Sequence, residues 1–220
     1  MSRSHFEQLP EPRKTRILVL AAEQFAKDGF QGTSYNQLLA RLGLGKGSAY
    51  YYFADKQDLF LTVVRACYQR FFQSLSALEA PTTSSEFWIY VETMNRRGLD
   101  FMVDDPTSAA ILLSFRNEHG RLDVLSGAEL FDSVGRYYQD AIRLGQRLGA
   151  VRRDLPLDLL VLTAQSVAAA CDQWFVGNPS ATRKSQRTLT ARRFTDLMRR
   201  MLERDAPLER AKPKAKLTGR

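Results

Sequence analysis

Residues 38–53 read Leu38-Leu39-Ala40-Arg41-Leu42-Gly43-Leu44-Gly45-Lys46-Gly47-Ser48-Ala49-Tyr50-Tyr51-Tyr52-Phe53. The order is a short helix, a glycine turn and a second short helix ending in aromatics. That is the layout of a helix-turn-helix, whose second helix can enter the major groove of DNA. Leu38, Leu39 and Leu42 form the inward face of the first helix. Gly43 supplies the positive φ of the turn, and Leu44 packs the turn back onto the core. Gly45 begins the second helix, and glycine is only a few tenths of a kcal/mol worse than serine as an N-cap. Tyr50 and Phe53, three residues apart, are expected to share the buried side, which turns Tyr51 and Tyr52 outward.

The preceding residues read as support for this unit. Ile17, Leu20, Ala21 and Phe25 recur at helical spacing and predict a helix from Arg13 to about Asp28. Gly29 stands where a left-handed cap is favoured. Residues 1–12, with Pro10 and Pro12 among polar residues, read as a flexible arm. Arg13, Lys14 and Arg16 crowd a first turn where the helix dipole disfavours cations. A solvated basic end and a phosphate site explain them equally well. Ser34 with Gln37 fits the capping box of the next helix.

Composition bounds the alternatives. The 220 residues carry a net charge of +8. Residues 1–60 hold 8 Lys/Arg against 6 Asp/Glu, residues 61–182 hold 11 against 14, and residues 183–220 hold 13 against 4. The excess positive charge therefore sits at the C-terminal end, so a nucleic-acid reading rests on the motif and not on overall basicity. Met1–Glu7 lacks the apolar core of a signal peptide, which sets a cytoplasmic expectation. Polar residues interrupt every apolar run short of the ~20 residues of a membrane span, so no membrane partner is expected. Cys67 and Cys171 lie far apart in apolar contexts and read as buried thiols. The two histidines, His5 and His119, are isolated from them, so neither a metal nor any other cofactor is expected.

Downstream, an apolar-rich helix is predicted from Lys56 to about Leu78. Further helices follow over 86–103, 107–119, 123–148, 156–177 and 186–204, with breaks at Asp104-Asp105-Pro106, Gly120, Gly149–Asp154 and Gly177-Asn178-Pro179. Ser84 or Ser85 is expected to cap the first of these. No stretch alternates like a strand. The chain reads as all-α, about nine helices: an arm (1–12), a three-helix DNA-binding domain (13–55), a larger helical domain (56–205) and a basic tail (206–220). The tail is disordered by composition; a solvated tail and a salt-dependent DNA arm both fit it.

Gly29-Phe30, Thr33-Ser34, Gly43-Leu44, Lys46-Gly47, Tyr50, Phe53, Lys56 and Leu59 together resemble the TetR/AcrR family of bacterial transcriptional regulators over roughly residues 13–62. Three positions depart from the family pattern: Leu39 stands where a small residue is usual, Ala49 where a larger apolar one is usual, and Gly45 where Ser or Thr is common. Leu39 and Ala49 suggest a compensating large-for-small exchange. The resemblance implies a homodimer on a palindromic operator, controlled by a small-molecule effector. The DNA-contacting set is Ser34, Asn36, Lys46, Gly47, Ser48, Tyr50, Tyr51, Tyr52 and Lys56. An effector pocket is expected in the middle helices around Trp88, Met94, Phe101, Phe115, Arg116, His119, Phe131 and Tyr137. The last two long helices would pair with their copies through Leu160, Ala164, Val167, Cys171, Trp174, Phe194, Leu197 and Met201; burial within one chain is the alternative. Repression, as opposed to activation, is likewise implied only by the family.

An enzyme finds no support, since there is no P-loop, HExxH, GxSxG or metal-ligand spacing. A helical ligand-binding or interaction module with a vestigial or architectural DNA-binding head stays open. Intact Lys46, Gly47 and Lys56 weigh against it.

Overall fold

The computed structural model describes residues 2–76, 78–117 and 124–203, without the side chains of 2–4, 117, 124–129 and 131. Among the described residues there are ten helices and no strand: α1 (Ser2–Glu7), α2 (Glu11–Gly32), α3 (Tyr35–Arg41), α4 (Lys46–Tyr52), α5 (Lys56–Leu75), α6 (Ser84–Asp104), α7 (Pro106–Asn117), α8 (Val124–Arg147), α9 (Leu157–Val176) and α10 (Lys184–Leu202). The fold is all-α, as periodicity predicts. The additional helix is α1, which lies in the stretch expected to be a loose arm. Its Phe6 is 2 % exposed, and that burial orders the segment. Pro10 and Pro12 do not mark a loop either. Pro10 is the N-cap of α2 and Pro12 lies in its first turn, where a missing N–H is harmless.

The turns follow local chemistry. Gly29 interrupts α2 at φ +70°, and Thr33 closes on it, donating from its amide (3.3 Å) and hydroxyl (2.6 Å) to the Gly29 carbonyl. Gly43 takes φ +66°, while the Leu44 amide reaches back to the Leu39 carbonyl at 2.9 Å, the long-range bond of a Schellman turn. The capping box expected at Ser34 does not form: the Ser34 side chain makes no cap bond. A reciprocal box forms instead at the start of α5. The Asp58 amide donates to Asp55 (2.8 Å) and the Ala54 amide donates to the Asp58 carboxylate (2.9 Å). Helix α6 is capped by Thr83, one residue before the serines expected there.

One core runs through head and body. It joins Ile17, Phe25 and Leu38 of the first helices to Leu59–Val64 of α5, then to Phe101, Ile111, Phe115 and Leu130. All six residues from Leu59 to Val64 are buried, because α2, α6, α7 and α8 surround α5. Helix α7 touches α2 as well as α5, α6 and α9. A second core, including Phe87, Trp88, Ile142, Leu160 and Met198, joins α6, α8, α9 and α10. Helix α10 lies along α6, tied by Arg187 to Asp100 (2.9 Å) and by Asn95 to Thr195 (2.9 Å). Arg70 of α5 clasps the α6–α7 corner through Asp105 (3.2 Å) and Ser108 (2.6 Å). Burial raises the Asp105 pKa, but hydrogen bonds from Ser108 and the Arg70 charge outweigh it and hold the carboxyl below its usual range.

Helix α9 departs from the membrane expectation. It alone among the described residues is long and apolar enough to cross a bilayer, with a mean hydropathy of 1.3, yet only 22 % of that stretch is buried. Leu159, Leu162, Trp174 and Val176 are exposed on it.

Leu39 and Ala49, the exchanged pair, are 3 % and 0 % exposed within the same core. Ala49→Leu should therefore overpack the head and lower stability by about 1–3 kcal/mol. Adding Leu39→Ala should recover part of the loss, as thermal melts of the single and double variants will show.

Candidate nucleic-acid interface and internal cavity

Helix α4 presents its two sides unambiguously. Ala49 and Phe53 face the core, at 0 % and 1 % exposure. Lys46, Gly47, Ser48, Tyr50 and Tyr51 are exposed, and Tyr52 is half-buried. The tyrosine assignment from spacing is therefore corrected. Tyr50 points outward and Tyr52 packs on the core, because Ala49 with Phe53, an i,i+4 pair, defines the inner face. Gly47 has an ordinary backbone, and a Cβ built on it meets nothing within 4 Å. Gly47 is the second residue of α4, in its first turn, and no internal contact calls for a glycine there. Ser34 and Asn36 are also exposed.

Lys56 is placed otherwise than its DNA assignment suggests. Its ammonium donates to the carbonyls of Phe30 (2.8 Å) and Thr33 (3.1 Å) and lies 4.6 Å over the Phe30 ring. The cation holds the end of α2 and the α2–α3 link onto α5. Lys14, one of the basic residues ahead of Ile17, is similarly engaged, with the Glu7 carbonyl at 3.2 Å and the Glu11 carboxylate. Arg41 ties α3 to α2 through Glu23 and Gln24.

Two contributions to the head had no sequence signal strong enough to find them. The His5 ring stacks on Tyr51, with centroids 4.1 Å apart, and Phe6 packs on Phe53 at 5.0 Å. Helix α1 thus clamps the last turn of α4. The Tyr35 hydroxyl is enclosed without a partner, and burial, reinforced by Tyr50, Asp55 and Asp58, pushes its pKa up to about 12.

The larger helices enclose a cavity of about 860 Å³. Of the residues expected around it, Trp88, Met94, Phe115, Arg116 and Tyr137 line it. Phe101 does not: it packs edge-on against Phe71 at 5.4 Å in the core. His119 and the Phe131 side chain lie outside the described residues, as does the basic tail 206–220. Tyr68, Phe72, Tyr138 and Asp172 also line the cavity. Asp172 carried a usable signal, a lone carboxylate deep in an apolar helix. It pairs with Arg116 at 2.7 Å. Burial drives the Asp172 pKa up despite the facing guanidinium; burial also works against the Arg116 charge, but Asp172 together with Tyr138 and Tyr68 outweighs it and the Arg116 pKa is raised. Burial likewise raises the Tyr68, Tyr137 and Tyr138 hydroxyls.

The face expected to pair two copies divides. Leu160, Ala164 and Cys171 turn inward, at 2–7 % exposure, because that side of α9 packs on α8 and lines the cavity. Val167, Phe194 and Met201 are half-buried, while Trp174 and Leu197 are exposed. Both cysteines are free and buried.

The profile of the bacterial regulatory proteins, tetR family, matches residues 17–63, the stretch that contains this helix-turn-helix. The helix-turn-helix is thus similar to that of the tetR family. The chain is 27 % identical over 154 residues to an HTH-type transcriptional repressor of Streptomyces coelicolor, covering 70 % of the chain and 75 % of the relative. An uncharacterised HTH-type regulator of Bacillus subtilis is 35 % identical over 71 residues; the match covers 32 % of this chain and 37 % of that relative's length. Among solved structures, a tetR-family transcription regulator from Shewanella sp. PV-4 superposes with a TM-score of 0.72 at 18 % identity, covering 88 % of this chain and 99 % of that one. The transcriptional regulator FadR from Bacillus subtilis, solved with stearoyl-CoA, superposes with a TM-score of 0.66 at 14 % identity, covering 84 % and 96 %. The chain is thus similar, in its helix-turn-helix and in its fold, to transcriptional regulators of the tetR family.

If α1 is an integral part of the head, Phe6→Ala should lower stability by about 3 kcal/mol, the range of a buried Phe→Ala change. His5→Ala should lower it by about 1 kcal/mol through the lost ring stack. Thermal melts, together with faster amide exchange in α4, will report both; an unchanged melt for Phe6→Ala would return residues 1–9 to the status of a loose arm.

Proposed function

We propose that the protein is a homodimeric repressor that binds a palindromic operator in the cytoplasm and is released by a small-molecule effector. The observation that carries this reading is the outer face of α4. Lys46, Ser48, Tyr50 and Tyr51 stand exposed around a glycine that the fold itself does not require. Bare backbone at Gly47 allows close approach to a groove. Lys46 suits a phosphate or a guanine edge, and Ser48 a base edge. Ser34, Asn36 and Tyr50 border the same face and would position the head on the phosphates, whereas base contacts specify sequence.

One such head covers too little DNA, and two heads about 34–36 Å apart would enter successive major grooves. The exposed apolar residues Leu159, Leu162 and Trp174 of α9 and Leu189 and Leu197 of α10 support a two-fold pairing of these helices. The cavity supports the effector reading, as does a FadR neighbour solved with stearoyl-CoA. Its walls include α7, which also touches α2. A ligand that favours one placement of α7 would shift the spacing of the heads by as much as its affinity differs between the two states.

Selection from a random DNA pool should return a palindrome. Lys46→Ala and Tyr51→Ala should each weaken binding by about 1–3 kcal/mol, altering sequence preference only where a base is touched. Absence of a specific complex at every salt concentration would overturn the reading. Separately, Leu162→Glu with Leu197→Glu should convert a dimer into a monomer in light scattering and abolish the palindrome complex while leaving the helical content unchanged.

A further inference from the structure

The head group that the cavity selects can be read from the hydrogen-bonding inventory around Arg116. The guanidinium has five N–H donors and no acceptor. One of them, on Nη1, is held by Asp172 Oδ2 at 2.7 Å. The Tyr68 hydroxyl faces the same guanidinium, and Tyr138 is close enough to feel both Arg116 and Asp172. The Tyr138 hydroxyl makes no hydrogen bond in the structure among the described residues, and that of Tyr137 has only the Met94 sulfur at 4.0 Å. These phenols keep their protons, since burial raises all three. The single carboxylate of the cluster is already engaged. Around Arg116, donors therefore outnumber the acceptor oxygens of Asp172, which is engaged through Oδ2.

Much of the remaining lining is apolar or aromatic, with Phe72, Trp88, Val91, Met94 and Phe115, and its other polar groups Asn95, Gln139, Gln165 and Ser166 are uncharged. A cation would meet Arg116 as soon as it approached Asp172. The rim holds Asp132 and Asp158 against Arg136, but these side chains are exposed and salt screens them.

We propose that the cavity takes a lipophilic carboxylate, its carboxylate received by Arg116 and the Tyr138 phenol and its apolar body lying along the aromatic wall. This rests on the reading of the cavity as the effector site and names the chemical class it accepts. An alkanoic and an arylalkanoic acid share this chemistry.

Calorimetry on the full chain, without DNA, tests this with one alkyl body and three heads: dodecanoate, dodecanol and dodecylamine. Dodecanoate should bind about tenfold or more tighter than the alcohol, a difference of at least about 1.4 kcal/mol, with the amine weakest. 4-Phenylbutanoate against dodecanoate separates the aryl from the alkyl source. Arg116→Gln alone leaves Asp172 buried without its partner and can unfold the chain. The double variant Arg116→Gln/Asp172→Asn removes both charges and should bind the alcohol as before while the preference for the acid falls to about threefold or less. Tyr138→Phe should weaken the acid by about threefold, and the alcohol less. Dodecylamine binding tightest, or all three heads binding equally to the unsubstituted protein, overturns the assignment. Dodecanoate that binds through Arg116 but leaves a DNA complex intact upholds the ligand class and refutes the effector reading instead.

Discussion

The architecture depends on solvating α5 with protein on every side. Leu59, Phe60, Leu61, Thr62, Val63 and Val64 are buried in succession, a pattern that no two-layer packing satisfies. A helix with one apolar stripe can lie on a surface; one buried all round must be walled in. Helices α2, α6, α7 and α8 supply the walls. That requirement brings the reading head and the larger helical body into one continuous core. Burial of apolar surface contributes roughly 25 cal/mol per Å², so the shared seam is a substantial part of what holds both together. The boundary drawn at residues 55/56 from sequence is a boundary of motif, and the packing crosses it.

The same seam suits regulation. Helix α7 contributes Phe115 and Arg116 to the cavity and also touches α2 of the head. A ligand in the cavity, as proposed, would act on the head through this one helix. Close-packed interiors transmit small displacements because they compress little. Arg70, holding Asp105 and Ser108 at the α6–α7 corner, fixes where α7 begins.

Much of this was legible in the residues. Helices from α2 onward, the turns at Gly29 and Gly43 and the outward Lys46-Gly47-Ser48 follow from 3.6-residue periodicity and glycine placement. What escaped belongs to pairings distant in sequence. The ordering of α1 depends on Phe6 meeting Phe53, which no local pattern announces. The orientation of Tyr50 was misread because a seven-residue helix offers two plausible inner faces, and the contact made by Ala49 decides between them. The inward turn of Leu160, Ala164 and Cys171 escaped for a related reason: α9 is apolar around most of its circumference, so composition does not distinguish a core face from an exposed one. Among the cavity residues, Arg116 and Asp172 were each visible as a lone charge in an apolar helix, but their partnership is a property of the fold.

Lys56 carries a consequence for how binding to a polyanion depends on salt. A lysine that neutralises a phosphate releases a condensed counterion, and the slope of log affinity against log salt counts such lysines. The Lys56 ammonium is occupied by two backbone carbonyls and an aromatic face. Its hydrogen-bond donors are thus committed inside the head, while its positive charge remains. Lys56 would therefore act on a nearby polyanion through its field, and a direct phosphate contact would first have to release these bonds.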